Sequence, residues 1–124
     1  MAGRVLQRQR EAQLPVEEGL WLALSALADP VRLRIVSRLV EREQCVCHLT
    51  EALELSQGTI SHHVGLLKRA GLVRDRRDPD DARWVYYALD EEGVGRFKEY
   101  LADLLDTGRT DPTPASCRLP GPKC

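Results

Sequence analysis

The chain has 124 residues, 43% hydrophobic and 30% charged, with a formal net charge of −1. That is the balance of a single water-soluble globular domain, and no apolar run approaches the roughly 20 residues that span a bilayer, so a membrane protein is not expected. The N-terminus, MAGRVLQRQREAQLP, has arginines but no apolar stretch behind them, so the four cysteines are expected to be cytoplasmic, reduced thiols rather than a disulfide framework.

Residues 1–15 form a basic arm in which Arg4, Arg8 and Arg10 face only Glu11. Residues 16–106 carry the periodicity of a folded domain. Over 16–28, VEEGLWLALSALA, the positions Val16, Leu20, Leu24 and Leu27 fall at helical spacing, and Trp21 and Leu22 widen the stripe beyond that of a solvated helix. Asp29-Pro30 signals the start of a second helix, because aspartate caps free N–H groups and proline lacks the one that would be orphaned. That helix runs to about Glu41 and buries either Leu33, Val36 and Val40 or Ile35 and Leu39. A third, shorter helix fits 46–54 with Leu49, Ala52 and Leu53 on one side. Ser56 is a good N-cap for a fourth helix over Gln57–Ala70, and Gly71 supplies its stop. Two short helices joined by a tight turn outline a helix-turn-helix.

After Gly71 the period changes. Residues 72–77 and 83–89 are rich in β-branched and aromatic residues and flank Asp78-Pro79-Asp80-Asp81, which predicts a β-hairpin. A last helix over 91–105 sets Val94, Phe97, Leu101 and Leu104 on one stripe. Residues 107–124, rich in proline and without periodicity, read as a flexible tail containing Cys117 and Cys124. The expected fold class is mainly α with a β-hairpin, a winged helix-turn-helix.

The small net charge argues at first against nucleic acid as a partner, but charge is segregated. Residues 56–89 are net basic, with His62 and His63 besides, whereas residues 90–106 are strongly acidic. At about 100° per residue, Ile60, Val64 and Leu67 define the buried side of the fourth helix, and Gly58, His62, Gly65 and Arg69 face away from it. Ser61 and Thr59 flank that strip and Gln57 lies at the helix start. These short or polar groups suit base edges and phosphates, as a helix entering a major groove requires. His63 lies nearer the core and suits a structural hydrogen bond. Arg74, Arg76, Arg77 and Arg83 gather around the hairpin turn as a phosphate clamp. The candidate DNA-binding residues are therefore Gln57, Thr59, Ser61, His62, Arg69, Arg76, Arg77 and Arg83.

The segments ALADPVRLRIVSRL, EQCVCHL, LSQGTISHHVGLLKRAGLV and RWVYYAL, in that order across residues 18–105, resemble the ArsR/SmtB family of metal-responsive transcriptional repressors. The resemblance implies a homodimer built on the first and last helices, double-stranded operator DNA of imperfect two-fold symmetry, repression without metal and release on metal binding. It also implies that Gln57, Ser61 and His62 face the operator. Within the family, cysteine-x-cysteine beside the helix-turn-helix resembles the arsenite-responsive branch and one cadmium/lead branch. The latter adds cysteines from an N-terminal arm, and residues 1–44 have none. The zinc and nickel branches use histidines on the last helix, and residues 90–106 have none. As(III) or Sb(III) is therefore the expected inducer rather than a catalytic cofactor. The family's arsenite motif usually has aspartate where His48 stands, and some members have a third cysteine where Thr50 stands.

Trivalent arsenic is thiophilic, so Cys45 and Cys47 are the expected metal ligands, with Cys117 or Cys124 supplying a third thiolate or forming a separate tail site. Both tail cysteines are within reach, a flexible linker spanning roughly 20 Å to Cys117 and roughly 25 Å to Cys124. Cys45 and Cys47 are placed in the first turn of the third helix, where the helix dipole favours thiolate. In a regular helix they would point about 200° apart, so gripping one ion is expected to unwind the start of that helix. The competing readings are a thiol redox sensor and a cadmium- or lead-responsive repressor. An enzyme is not expected, since C-x-x-C, a phosphate-cradling loop and an α/β pattern are all missing.

Overall fold

The structure, a computed structural model, describes residues 18–115. The basic arm and residues 116–124, with Cys117 and Cys124, lie outside the described residues. Helix α1 covers residues 18–27 and α2 spans Pro30–Glu41. Between them Asp29 is extended, and its carboxylate accepts from the N–H groups of Val31 at 2.9 Å and Arg32 at 3.1 Å. These donors have no partner within the helix, so Asp29 with Pro30 behind it sets the start of α2. Of the two stripes available to α2, Ile35 and Leu39 are buried while Leu33 and Val40 are exposed.

Helix α3, Val46–Leu53, and helix α4, Gln57–Arg69, form the helix-turn-helix. The turn passes through Glu54 in the left-handed conformation, with φ 56°. Ser56 then caps α4, its Oγ accepting from the Thr59 N–H at 3.2 Å. Helix α4 ends as the sequence anticipates. Gly71, with φ 78°, lets its own N–H reach the Lys68 carbonyl and the Leu72 N–H reach the Leu67 carbonyl, the paired bonds of a Schellman stop. The largest fully buried side chains are Ile35, Leu49, Ile60, Val64 and Leu67, so α2, α3 and α4 pack around one core.

The wing differs from a simple hairpin. Strand β1 is Gln44–Cys45, β2 is Val73–Arg77 and β3 is Val85–Leu89, in the antiparallel order β1-β3-β2. Cys45 lies opposite Tyr86, which lies opposite Arg76 on its other side. Tyr87 from β3 joins the core. Helix α5, Glu91–Leu104, is capped by Asp90, whose N–H donates to the Leu72 carbonyl at 2.9 Å. Beyond it a single 3-10 turn, Thr107–Arg109, is exposed. The stripe predicted on α5 is covered only in part among the described residues: Val94 and Phe97 pack against the core, Leu101 is partly buried and Leu104 is 62% exposed, as Trp21 of α1 is at 69%. Among the described residues no helix is long and apolar enough to cross a membrane.

Candidate nucleic-acid interface and thiol site

Helix α4 presents its polar face as the wheel predicts. Ile60, Val64 and Leu67 are buried, while Gln57, Gly58, Ser61, His62, Gly65 and Arg69 are exposed. Thr59 is half-buried, and its Oγ1 lies 2.9 Å from the Ser56 Oγ, so it serves the cap as well as the flank of this face. His63 turns inward, its Nδ1 3.1 Å from Arg32 Nη1. A guanidinium only donates, so in this pairing Nδ1 is the acceptor. Arg32 also donates from Nε to the Ala26 carbonyl at 2.6 Å. One guanidinium thus ties the end of α1 to α4, giving His63 its structural role.

The wing arginines differ in what holds them. Arg77 donates to the Ala82 carbonyl at 2.7 Å, closing the base of the turn. Arg83 is paired with Asp81, Nη2 to Oδ2 at 2.8 Å, and this hydrogen bonding holds the Asp81 carboxyl below its usual range and raises the Arg83 guanidinium. The Arg83 side chain is nonetheless 89% exposed and free to exchange its carboxylate for a phosphate. Arg76 is held from two sides, by an ion pair with Glu43 and by the Tyr86 ring, whose centroid is 4.7 Å from the guanidinium carbon. Lys68 pairs with Asp75 at 2.8 Å and so fixes α4 against β2.

The cysteine pair departs from expectation in two respects. Cys45 is not in the first turn of α3. It is the residue before the helix, extended with φ −80° and ψ 163°, and only Cys47 lies within the helix. With a Cα–Cα distance of 5.4 Å, the two sulfurs meet with α3 intact, so the unwinding inferred from helical geometry is not required. In addition, the structure joins Cys45 and Cys47 as a disulfide where reduced thiols were expected. The reason is the change of backbone between the two positions: a strand residue and the second residue of a helix turn their side chains together, which two helical residues cannot do.

Cys45 is buried and Cys47 is exposed. Both line a cleft of about 490 Å³ whose other walls are Val46, Thr50 and Leu55, Ser56 and Gln57 at the start of α4, and Arg83, Trp84 and Val85 of the wing. His48 lines a different cleft with Arg38, Arg42 and Glu51, away from the thiols. Thr50 shares the thiol cleft, but its hydroxyl donates to the Cys47 carbonyl at 2.8 Å. Among the described residues no three His, Cys, Asp or Glu side chains are grouped to hold a metal ion. The expected third ligands, Cys117 and Cys124, lie outside those residues.

A capped helix with an exposed polar face, braced on a three-stranded wing whose turn is lined with arginine, defines a DNA-binding protein of the winged helix-turn-helix class. The chain belongs to the arsR family of bacterial regulatory proteins, whose family model matches residues 29–75. The arsenic resistance transcriptional regulator ArsR1 of Pseudomonas putida is 38% identical over 99 residues, covering 79% of this chain and 75% of that protein. The arsenical resistance operon repressor of Escherichia coli is 48% identical over 64 residues, and the match spans 51% of this chain and about half of that protein, 52%. Among solved structures, reduced HlyU from Vibrio cholerae superposes with a TM-score of 0.58 at 33% identity, covering 77% of this chain and 97% of that one.

Proposed function

We propose that this protein is a cytoplasmic transcriptional repressor that binds operator DNA as a homodimer and is released when As(III) or Sb(III) binds the reduced thiols of Cys45 and Cys47. One observation carries the reading: the thiol pair opens into the cleft bounded by Gln57 at the start of the recognition helix and by Trp84, where the turn of the wing enters β3. The printed names of the Pseudomonas putida and Escherichia coli relatives support the choice of metalloid. The DNA surface comprises Gln57, Ser61, His62 and Arg69 of α4, Thr59 beside them, and Arg77 and Arg83 of the wing. The homodimer is supported by apolar residues left exposed on the first helix, Trp21 and Leu24, and at the end of the last, Leu104 and the C-cap Leu105.

Soft thiolates suit trivalent arsenic, and the reduced pair is already arranged to present two of them. Cys117 or Cys124 supplies the third. A metalloid gripping both thiolates and a third draws Cys45, Cys47 and the third ligand to one centre in the cleft. Seating it there shifts the start of α4 relative to the wing, which lowers operator affinity without blocking the groove. Moving a repressor from 99% to 1% operator-competent requires a preference of about 10⁴, or about 5.5 kcal/mol, for the distorted state, which two or three metal–thiolate bonds supply.

The direct pairing of the sulfurs favours a thiol redox switch as the second reading. There, peroxide accepts two electrons and two protons from the thiols and leaves water and the disulfide. The test measures binding to a duplex selected from randomised DNA, with arsenite, cadmium, zinc or peroxide added in turn to wild type and to Cys45→Ser/Cys47→Ser. Arsenite should release the wild type and leave the double variant bound. Equal release of both defeats the metalloid reading, and release of the wild type by peroxide alone selects the redox one. Truncation after Asp106 should weaken the arsenite response if a tail cysteine is the third ligand.

A further inference from the structure

The geometry around Arg76 points to a positioning residue rather than a phosphate contact. We propose that Arg76 is the strut that fixes the thiol-bearing strand to the wing, and so relays the state of Cys45 to the part of the molecule that grips DNA. Three observations place it there. Its guanidinium is paired with Glu43, which stands two residues before Cys45 on the segment entering β1. The same guanidinium covers the ring of Tyr86, 4.7 Å from its centroid, and Tyr86 is the residue of β3 directly opposite Cys45. Arg76 itself lies opposite Tyr86 on β2.

The strand order β1-β3-β2 explains why a strut is useful. Strand β1 has two residues and touches β2 nowhere along the ladder, since β3 separates them. A two-residue strand is a weak anchor by itself. Arg76 reaches across β3 from the far strand and takes hold of the segment leading into β1, so a displacement of Cys45 is carried to β2 as well as to β3. The chemistry suits that task. A planar guanidinium offers one edge to a carboxylate while its face lies on an aromatic ring, a combination an ammonium reproduces poorly. Arg76 differs from the exposed Arg83 in being about half-covered, with its face on Tyr86 and its Nη2 on Glu43, a residue of another segment rather than of the same turn.

The relay to Cys45 rests on the proposed function, whereas the strut can be measured without any inducer. Binding of the reduced full-length protein to the selected duplex is titrated with salt for wild type, Arg76→Ala, Arg76→Lys, Glu43→Gln and Arg76→Ala/Glu43→Gln. A strut predicts that each single variant weakens binding by about 3- to 10-fold with the salt slope unchanged, that lysine does not rescue, and that the double variant is no worse than either single one. A phosphate contact predicts a different pattern: a slope about 1.8 shallower for Arg76→Ala, about 0.9 for each protomer of the homodimer, rescue by lysine, and tighter binding by Glu43→Gln because a negative charge has been removed. That pattern overturns the proposal. Arsenite is then added to the same proteins. The fold-release of Arg76→Ala and Arg76→Lys should fall about 5-fold or more below that of wild type, and an undiminished release removes the relay. A wild type insensitive to arsenite refutes the metalloid reading, and the inducer-free titrations still decide the strut.

Discussion

Gly93 of α5 faces the carbonyl of Gly71, the residue that stops the recognition helix, so closely that a Cβ at position 93 would stand 1.7 Å from that oxygen. The two glycines set where the last helix crosses the end of the helix-turn-helix, and the obstacle is backbone that cannot swing aside. Gly93→Ala should therefore destabilise the fold by about 3 kcal/mol or more. By contrast Gly65, on the exposed face of α4, has nothing within 4 Å of the corresponding Cβ. Gly65→Ala should stabilise by about 0.5–1 kcal/mol through helix propensity alone. Urea unfolding of both variants checks the opposite signs, and equal behaviour would contradict the close approach.

Glu54 carries the left-handed turn between α3 and α4 at φ 56°. A side chain at such a backbone costs about 1–2 kcal/mol, part of which glycine recovers at the expense of greater freedom in the unfolded chain. Glu54→Gly should raise stability by about 0.5–1 kcal/mol, while Glu54→Val lowers it. Thermal melts that rank the two in the reverse order would place the turn's strain elsewhere.

Acid should loosen the junction between α1 and α2. The Arg32 N–H donated to Asp29 holds that carboxyl below its usual range, against partial desolvation that pushes it up, with the Arg32 charge and the Val31 N–H assisting. A depressed folded-state value means that the stabilisation is complete above the ordinary aspartate range near about 4 and is lost as pH falls through the lower, folded-state value. Asp29→Asn keeps a capping oxygen without the charge, so its melting temperature should decline less steeply than that of wild type below about pH 4. Parallel acid limbs for the two proteins would disprove the assignment.

His62 and Ser61 are exposed on α4 and take no part in its capping or in the core. Replacing either by alanine should weaken binding to the selected duplex by about 1–3 kcal/mol, with folding stability unchanged within about 0.5 kcal/mol. His63→Ala should do the reverse, since its Nδ1 is held by Arg32: stability falls by about 1 kcal/mol and the intrinsic sequence preference is kept. A gel-shift series set beside unfolding curves separates the two histidines.

In the reduced protein, Cys47 should react with a monofunctional alkylating agent before Cys45, because Cys47 is exposed and Cys45 is 3% exposed. The difference should be roughly tenfold or more in rate. Peptide mapping of the full chain after brief treatment measures it. Equal labelling would mean that the segment from Gln44 to Cys47 opens readily in solution.

Much of the helical frame was legible because its boundaries are written in local chemistry. Asp29-Pro30, Ser56 and Gly71 each act on neighbours within a few residues, and all three end or begin a helix where expected. The exposed face of α4 follows from helical period alone. Strand β1 was not legible, since two residues show no period and Gln44 becomes a strand only by pairing with the distant Tyr87. The error about Cys45 has the same origin: the strand ends where α3 begins, which puts one cysteine on each side of the boundary. The partners of Arg76 were likewise hidden, because cross-strand register and a glutamate from another segment define them. Arginines near a hairpin turn read alike in sequence whether they face solvent or a carboxylate.

The cleft shared by the thiols, Gln57 and Trp84 also bears on how the proposed repressor behaves as a population. Coupling between two ligands of one protein is reciprocal, so if metalloid at the thiols weakens DNA binding by some factor, DNA weakens metalloid binding by the same factor. Copies seated on the operator are then the least sensitive, and unoccupied copies bind the metalloid first. The threshold for derepression is set by how many spare copies the cell holds as well as by thiol affinity, and raising the repressor's abundance delays its own release.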